Sequence, residues 1–140
     1  MEFEIRLIDK KEIFSIVPFL SELNSRITDA VLENRLSEMV LQGYQCMGIY
    51  DSAKLVGISG IWLLTKYYIG KHIEPDNVFI LPEYQGQGIG KLLMNWIFDY
   101  AKSIGCVASE LNCYTNNKKG QCFWKQQGYE VVAYHFQKQL

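Results

Sequence analysis

The chain has 140 residues, of which 49% are hydrophobic and 14% aromatic, and its formal net charge at pH 7 is −1. This length suits one domain with its own hydrophobic core, and this composition excludes an intrinsically disordered chain. The near-neutral charge argues against general nucleic-acid binding, which needs a basic face to neutralise phosphates, so we expect no nucleic-acid partner.

The N-terminal half of the sequence predicts a strand, two helices and a hairpin. Residues 2–7 alternate between charged and apolar side chains, as a half-buried strand does. Asp9 is placed to cap the first helix, which Pro18 should kink or break near Val17. The predicted elements, in chain order, are a strand over 2–7, a helix over 10–23, a helix over 28–42 with Thr28 or Asp29 as its cap, and strands over 44–50 and 54–64.

The C-terminal half predicts three further strands separated by two helices. These elements are a strand over 78–81, a helix over 89–104, a strand over 107–114, a helix over 118–127 and a strand over 129–136. Apolar residues of the first of these helices recur at i, i+3, i+4 and i+7, and Gly105 is a typical residue to end it. The order β-α-α-β-β-β-α-β-α-β predicts an α/β fold, a single domain over residues 1–140 with one mixed central sheet.

Three sequence features bear on the compartment of the protein. Met1 leads into charged residues without a signal peptide, and no apolar run approaches the length of a transmembrane helix. The four cysteines form no C-x-x-C pair and are expected to be free thiols in a reducing environment. We therefore expect a cytoplasmic protein that has no membrane partner.

A glycine-rich turn joins the strand over 78–81 to the helix over 89–104. Its residues are Gln85, Gly86, Gln87, Gly88, Ile89, Gly90 and Lys91. Such a turn leaves several main-chain N–H groups without acceptors, and the helix dipole adds positive potential at the same point. The sequence therefore predicts a binding site for a phosphate-bearing ligand.

Two common phosphate-binding motifs do not match this turn. A P-loop follows the pattern G-x-x-x-x-G-K-[ST], but Lys91 is followed by Leu92 and no glycine stands five residues before Gly90. A dinucleotide fingerprint needs G-x-G-x-x-G and an acidic residue for the ribose, whereas these glycines stand at 86, 88 and 90.

A third glycine motif fits better. The segment Gln85-Gly86-Gln87-Gly88-Ile89-Gly90 resembles the Q/R-x-x-G-x-G/A motif of the GNAT family of N-acetyltransferases. Asn117, the pair Phe123-Trp124 and the pair Gly128-Tyr129 are similar to the second signature of that family. The resemblance implies splayed central strands and a metal-free transfer of acetyl from acetyl-CoA to a primary amine of a small molecule or protein. It implies direct attack by the amine within a ternary complex.

By this resemblance, acetyl-CoA is expected to bind along the strand, the turn and the helix start. The amides of residues 86–91 hold its pyrophosphate, and the Ile80 N–H polarises the thioester carbonyl. The expected cofactor-binding residues are Val78, Phe79, Ile80, Gln85, Gly86, Gln87, Gly88, Ile89, Gly90, Lys91, Asn117 and Trp124. Gln85 stands where the family often has arginine, so the charge and the fork of a guanidinium are lost there.

The expected catalytic residues are Asp76, Glu74 and Ile80. An alkylammonium cannot attack a thioester, so a base or a solvent path must remove a proton. The resemblance places Asp76 where family members often carry an acid. Glu74 lies two residues earlier and shares the face of Asp76 if the strand is continuous, which Pro75 puts in question.

Trp124 occupies the position of the tyrosine that serves the family as general acid, and an indole N–H is not a usable acid. Tyr114 or Tyr129 is the alternative donor, unless the thiolate leaves without one. Other residues expected near the acceptor are Trp62, Tyr67, Tyr68 and His72, the last as a base or a contact. These departures keep open a non-catalytic acyl-CoA-binding or regulatory module on the same fold. The resemblance also suggests a possible homodimer.

Overall fold

The computed structural model of the protein describes residues 2–140, in which five strands and four α-helices form one α/β domain. The elements in chain order are β1 (Phe3–Leu7), a 3₁₀ helix (Lys10–Ile16), α1 (Val17–Leu23), α2 (Asp29–Leu41), β2 (Gln45–Asp51), β3 (Lys54–Lys66), β4 (Gly70–Ile80), a 3₁₀ helix (Pro82–Tyr84), α3 (Ile89–Ser103), β5 (Ala108–Ser109) and α4 (Lys118–Gln126). Between residues 2 and 140, no helix combines the length and the apolar character that crossing a membrane requires.

The five strands form one sheet in the order β1-β2-β3-β4-β5. Neighbouring strands run antiparallel except β4 and β5, which are parallel. The parallel strands pair only at His72 with Ala108 and at Ile73 with Ser109. Beyond these pairs, the edge of β4 that faces away from β3 has no strand partner among residues 2–140. The predicted splaying of the central strands is therefore confirmed.

The helices cover the two faces of this sheet. On one face, α1 and α2 pack through Leu20 and Leu36 into a cluster that includes Ile58 of β3. On the other face, α3 buries Leu93 and Ile97 completely. Burial of each such side chain contributes about 1.5–3 kcal/mol relative to exposure, so the apolar stripe predicted from the sequence fixes α3 against the sheet.

The predicted break in the first helix is confirmed at the predicted place. Residues 10–16 form a 3₁₀ helix, whose first turn Asp9 caps by accepting the Lys11 N–H at 3.0 Å. The α-helix starts at Val17, and Pro18 lies in its first turn. Main-chain N–H groups of a first turn have no intrahelical acceptor, so the missing N–H of proline costs nothing there. Of the two predicted caps of α2, Thr28 is the one that forms, since its hydroxyl accepts from the first turn at 3.3 Å.

The strand β4 extends over Gly70–Ile80, whereas the sequence predicted a strand only over 78–81. Pro75 lies inside it without interrupting the pairing with β3. The Ile73 carbonyl accepts the Glu110 N–H, so the main chain at Ile73 faces away from β3. Since alternate residues face the same edge, the Pro75 nitrogen also faces that edge, where it removes no bond to β3. Glu74 and the following Asp76 therefore share one face.

Of the two strands predicted near the C-terminus, one is much shorter than predicted and the other is wrong. The strand predicted over 107–114 is reduced to Ala108–Ser109, because the chain leaves β4 after Glu110. The strand predicted over 129–136 is not formed, and residues 129–140 contain neither helix nor strand. Four of its apolar side chains are 78–91% exposed, namely Val131, Val132, Tyr134 and Phe136. The alternating pattern is present, but a strand also needs a pairing partner, and within the described chain this segment pairs with no edge of the sheet.

Candidate active site

The glycine turn between β4 and α3 presents main-chain N–H groups. Gly86 and Gly88 have φ of +76° and +79°, a left-handed conformation that glycine adopts without strain. A Cβ at either position would meet no atom within 4 Å, so conformation rather than crowding requires glycine. The N–H groups of Ile89, Gly90 and Lys91 lie in the first turn of α3, which offers them no intrahelical acceptor. The turn has the geometry of an anion receptor.

Two glutamines hold this turn in place. Gln85 Nε2 donates to the Ile80 carbonyl at 2.8 Å and ties the turn to the end of β4. Gln87 Nε2 donates to the Glu83 carbonyl at 3.2 Å. Both side-chain amides therefore bind main chain in this structure, which gives them a supporting role in shaping the turn.

The open edge of β4 presents the main chain of two of the three predicted backbone ligands. The Leu81 N–H bonds to the Val56 carbonyl of β3 at 2.9 Å. Because main-chain groups alternate in direction along a strand, those of Ile80 and Val78 face the opposite, unpaired edge. The main chain of Phe79 faces β3, and its ring packs into the core beneath α1. An extended ligand therefore finds the N–H groups of Val78 and Ile80 and the Val78 carbonyl along this edge, whereas the Ile80 carbonyl already accepts from Gln85.

A β-bulge sets the direction of the last residues of β4. The register with β3 shifts between Asp76 and Phe79, and Asn77 has a φ of +55°. The Tyr44 hydroxyl donates to Asn77 Oδ1 at 3.2 Å. Burial raises the pKa of Tyr44, so this hydroxyl stays a neutral donor. The bulge is thus anchored from the core.

The two predicted carboxylates have different partners. Asp76 Oδ2 accepts a hydrogen bond from Trp62 Nε1 at 3.0 Å. Glu74 Oε1 lies 3.5 Å from His72 Nε2 and 4.0 Å from Lys66 Nζ. Asp76 is therefore tied to the neighbouring strand, whereas Glu74 lies where the central strands separate.

Glu110 joins Glu74 and His72 at this point of separation. Its Oε1 lies 3.5 Å from His72 Nε2 and accepts a hydrogen bond from the Tyr68 hydroxyl at 2.7 Å. That hydrogen bond raises the pKa of Tyr68 to about 12. One histidine nitrogen and two carboxylate oxygens lie within 4.8 Å of one another. The sequence did not predict a role for Glu110, whose one signal was a charge within a predicted strand.

The residues of the second signature lie on and beside α4. Asn117 Oδ1 accepts a main-chain N–H in the first turn of α4 at 2.9 Å and caps this helix. Trp124 packs edge-on against Tyr129, with ring centroids 5.5 Å apart. A Cβ at Gly90 would lie 3.2 Å from the Phe123 ring, so α4 rests against the start of α3. Asn117 and Trp124 therefore have structural roles in α4, the helix whose Phe123 contacts the glycine turn.

The two tyrosines predicted as alternative acids differ in environment. Tyr114 is 78% exposed. The Tyr129 hydroxyl lies 2.6 Å from Ser109 Oγ on β5, and burial raises the pKa of Tyr129. Of the two, Tyr129 is the one whose hydroxyl adjoins the diverging strands.

The unpaired strand edge, the glycine turn and the helix start agree with the fold that the resemblance to the GNAT family implies. The model of the acetyltransferase (GNAT) family matches residues 14–129. The chain belongs to this family, so the predicted fold and the predicted enzyme class are both confirmed.

Several known proteins similar to this chain are named as N-acetyltransferases. The chain is 22% identical over 135 residues to the uncharacterized N-acetyltransferase YhdJ of Bacillus subtilis (strain 168), with 95% of each protein covered. It is 23% identical over 123 residues to glucosamine 6-phosphate N-acetyltransferase of Arabidopsis thaliana, covering 82% of this chain and 81% of that protein. Its fold is similar to that of the aminoglycoside N-acetyltransferase AAC(6')-Iy in complex with CoA. The TM-score is 0.83 at 16% identity, covering 99% of this chain and 95% of that one.

Proposed function

We propose that the protein transfers an acetyl group from acetyl-CoA to a primary amine of a small molecule or protein, by direct attack within a ternary complex. The observation that carries this proposal is the open edge of β4 at Val78 and Ile80, which leads directly into the glycine turn. A pantetheine arm paired with this edge brings its pyrophosphate to the start of α3.

The proposed cofactor site divides into main-chain and side-chain contributions. The amides of residues 86–91 hold the pyrophosphate, with Lys91 as an adjacent exposed cation. Val78 and Ile80 pair with pantetheine, and Phe79 supports the edge from the core. Asn117 and Trp124 border the cofactor from the side of α4, next to the turn.

The chemistry of the transfer follows from this arrangement. The Ile80 N–H faces the open edge and stabilises the oxyanion that forms when the amine attacks the thioester. Glu74 and Asp76 are the carboxylates proposed to assist removal of the amine proton, and the position of Glu74 at the strand separation favours Glu74. When the C–S bond breaks, the thiolate leaves. It takes up the second proton that the nitrogen loses and becomes free thiol.

Calorimetry with acetyl-CoA, followed by thiol release across a panel of amines, tests this function. We expect binding and turnover in the wild type, and loss of turnover in the double variant Asp76→Asn, Glu74→Gln. Asp99→Asn, on the exposed side of α3, removes a carboxylate far from the site and serves as the control. Absence of binding at millimolar acetyl-CoA contradicts the cofactor. Binding without turnover of any amine supports a non-catalytic acyl-CoA-binding module instead.

We also propose a homodimer in which residues 129–136 of each protomer extend the sheet of the other. Val132, Tyr134 and Phe136 are exposed apolar residues at alternate positions, which become one apolar row when the segment is extended. Within residues 2–140, the outer edge of β5 has no strand beside it. A segment with the alternation of a strand and a sheet with a free edge are complementary when two copies meet.

Light scattering during size-exclusion chromatography tests the homodimer. The wild type is expected to have twice the mass of the chain. Tyr134→Asp places a charge in the apolar row and is expected to shift the mass toward the monomer. Gln137→Asp adds the same charge just outside the segment and should leave the mass unchanged. A monomeric wild type at high protein concentration contradicts the proposal.

A further inference from the structure

We propose that His72, Glu74 and Glu110 bind one divalent transition-metal ion. The ion joins β4 to the chain just after β5, at the point where the parallel pairing of these two strands ends. This structural site goes beyond the proposed function, because it takes no part in holding acetyl-CoA or in moving the acetyl group.

The strand register brings two like charges side by side at this point. The pairing of β4 with β5 aligns His72 with Ala108, and continued for two residues it places Glu110 beside Glu74. Like charges that face each other on adjacent strands are destabilising. The side chain of His72 shares the face of Glu74, since the two residues are two positions apart in one strand. A cation among these side chains replaces the repulsion with attraction.

The imidazole of His72 presents a free lone pair to the two carboxylates. Its Nδ1 lies 3.1 Å from the Gly70 carbonyl, which can only accept, so Nδ1 carries a proton. In the neutral ring, Nε2 is then an acceptor. This atom is buried and has no hydrogen-bond partner within residues 2–140. A buried acceptor that faces two carboxylates is costly unless a cation lies among them.

The distances between the three side chains are those of ligands around an ion. His72 Nε2 lies 3.5 Å from Glu74 Oε1 and 3.5 Å from Glu110 Oε1. A hydrogen bond between an imidazolium and a carboxylate is shorter, at about 2.7–2.9 Å. A tetrahedral zinc ion with bonds of about 2.0–2.2 Å holds its ligands about 3.3–3.6 Å apart. Such an ion lies between its ligand atoms, so the site needs no separate cavity.

The hydrogen bonds behind these ligands are also those of a metal site. A metal-binding histidine usually donates its other ring N–H to a carbonyl or a carboxylate, as His72 does to Gly70. The Tyr68 hydroxyl donates to Glu110 Oε1 at 2.7 Å and orients this carboxylate toward the imidazole. An oxygen of an ionised carboxylate has a further lone pair for the ion. The three ligand atoms are therefore held in place before an ion arrives.

The chemistry of the ligands favours Zn²⁺ or a similar transition-metal ion. Imidazole nitrogen suits Zn²⁺, whereas Mg²⁺ and Ca²⁺ prefer sites made of oxygen alone. Two carboxylates and a neutral imidazole balance a charge of +2. Lys66 Nζ lies 4.0 Å from Glu74 Oε1, too far for a hydrogen bond, so this oxygen remains available. The side chains of Glu74 and Glu110 are 22% and 21% exposed, so water reaches the site as a fourth ligand.

Glu74 also has an assignment in the proposed function, as the favoured carboxylate for removal of the amine proton. An ion on Glu74 Oε1 withdraws this oxygen from proton transfer and leaves Asp76 as the remaining proposed carboxylate. The form that binds the ion and the form that uses Glu74 as a base are therefore alternative states of the protein.

Calorimetric titration with Zn²⁺, after EDTA treatment and removal of the EDTA, tests the site. We expect one ion per chain. Glu110→Gln should raise the Kd of Zn²⁺ by at least about 100-fold, because an anionic ligand is lost. Tyr68→Phe removes only the hydrogen bond that orients this ligand and should raise the Kd by about 10-fold. Glu38→Gln makes the matched change on the exposed side of α2 and should leave the Kd unchanged.

Co²⁺ in place of Zn²⁺ gives a spectroscopic readout of the ligands. The visible absorption of the bound ion should indicate four-coordinate geometry and should be lost in Glu110→Gln. Cys113 and Cys122 are partly exposed or exposed free thiols that compete for such ions. We therefore expect no near-ultraviolet band of a cobalt–thiolate bond.

Three outcomes overturn the metal site. They are no binding of Zn²⁺ at millimolar concentration, an equal Kd in Glu110→Gln and the wild type, and a cobalt–thiolate band. If Glu110→Gln fails to fold, Glu74→Gln removes the other anionic ligand and decides the question in the same way. Binding of acetyl-CoA is measured separately in EDTA, so failure of the metal site leaves the proposed function standing.

Discussion

The two ends of the open edge of β4 are built from different parts of the chain. At one end, Ile80 and residues 86–91 present main-chain groups that glycine conformations expose. At the other, the side chains of His72 in β4 and Glu110 just after β5 come together. The first end suits a ligand that every family member shares. The second end can change its chemistry by single substitutions.

This difference decides which substitutions should affect each end. Main-chain recognition at the turn depends on positive φ at Gly86 and Gly88, which few other residues tolerate. The contacts at the other end are made by side chains such as that of Glu110, which the backbone of the fold does not require. Substitutions at the two ends should therefore have separable effects, with loss of acetyl-CoA affinity expected at the turn.

The largest effect is expected from Gly88→Val. Gly88 has a φ of +79°, and a β-branched residue there must move the main chain away from the conformation that presents the N–H groups. We expect the Kd of acetyl-CoA, measured by calorimetry, to rise by at least about 100-fold.

Gly43→Val is the matched control for that change. Gly43 has a φ of +104° and lies after α2. As at Gly88, a Cβ added there would meet no atom within 4 Å. Its replacement should lower the melting temperature and leave acetyl-CoA affinity intact. Equal loss of affinity in both variants shows that general instability, rather than the turn, controls binding.

The next effect concerns the boundary between support and chemistry. Trp62→Phe keeps an aromatic ring beside Tyr44 but removes the N–H that Asp76 accepts. Loss of a hydrogen bond to a charged group should lower the free energy of unfolding by about 1.5–3 kcal/mol, measured by urea titration. The turnover number per folded molecule should stay close to that of the wild type. Trp96→Phe, which leaves the ring stacked near Tyr100, is the control.

A loss of turnover without a loss of stability assigns Asp76 a role in the reaction. If Trp62→Phe leaves stability unchanged and strongly lowers kcat, the hydrogen bond positions a base rather than a strand. Asp76 then replaces Glu74 as the carboxylate that takes part in proton removal.

The sequence predicts the part of this site that is formed by residues close to one another in the chain. The helix α3 and the turn at Gly86 and Gly88 depend on residues within a few positions of one another. Glu110 meets His72 only because β4 and β5 lie side by side, and a spacing of 38 positions carries no local signal. The strand prediction over residues 129–136 failed for the converse reason. The alternation of these residues is a local signal, but a strand also depends on a partner that lies elsewhere in the chain.

A smaller effect is expected where the core supports the bulge. Tyr44→Phe removes the hydroxyl that donates to Asn77 Oδ1 and keeps the buried ring. One neutral hydrogen bond contributes about 1 kcal/mol, so the melting temperature should fall by about 2–4 °C for a domain of this size. Tyr100→Phe is the control, because its ring stacks on Trp96. A large loss of acetyl-CoA affinity in Tyr44→Phe without loss of stability shows instead that the bulge acts directly on the cofactor.

The smallest effect concerns the hydrogen bond from the Tyr68 hydroxyl to Glu110. The hydrogen bond to Glu110 raises the pKa of Tyr68 from 10.0 to about 12. Since the folded-state pKa is the higher one, the stabilising contribution of this bond is complete below about pH 10 and is lost as the pH rises through about 12. The ultraviolet absorbance of phenolate, compared between wild type and Tyr68→Phe, reports the ionisation of this one residue. Glu110→Gln should return that ionisation toward pH 10. If Tyr68 already ionises near pH 10 in the wild type, Glu110 is not held beside His72 by this bond. The contrast between a main-chain end and a side-chain end of β4 then loses one of its supports.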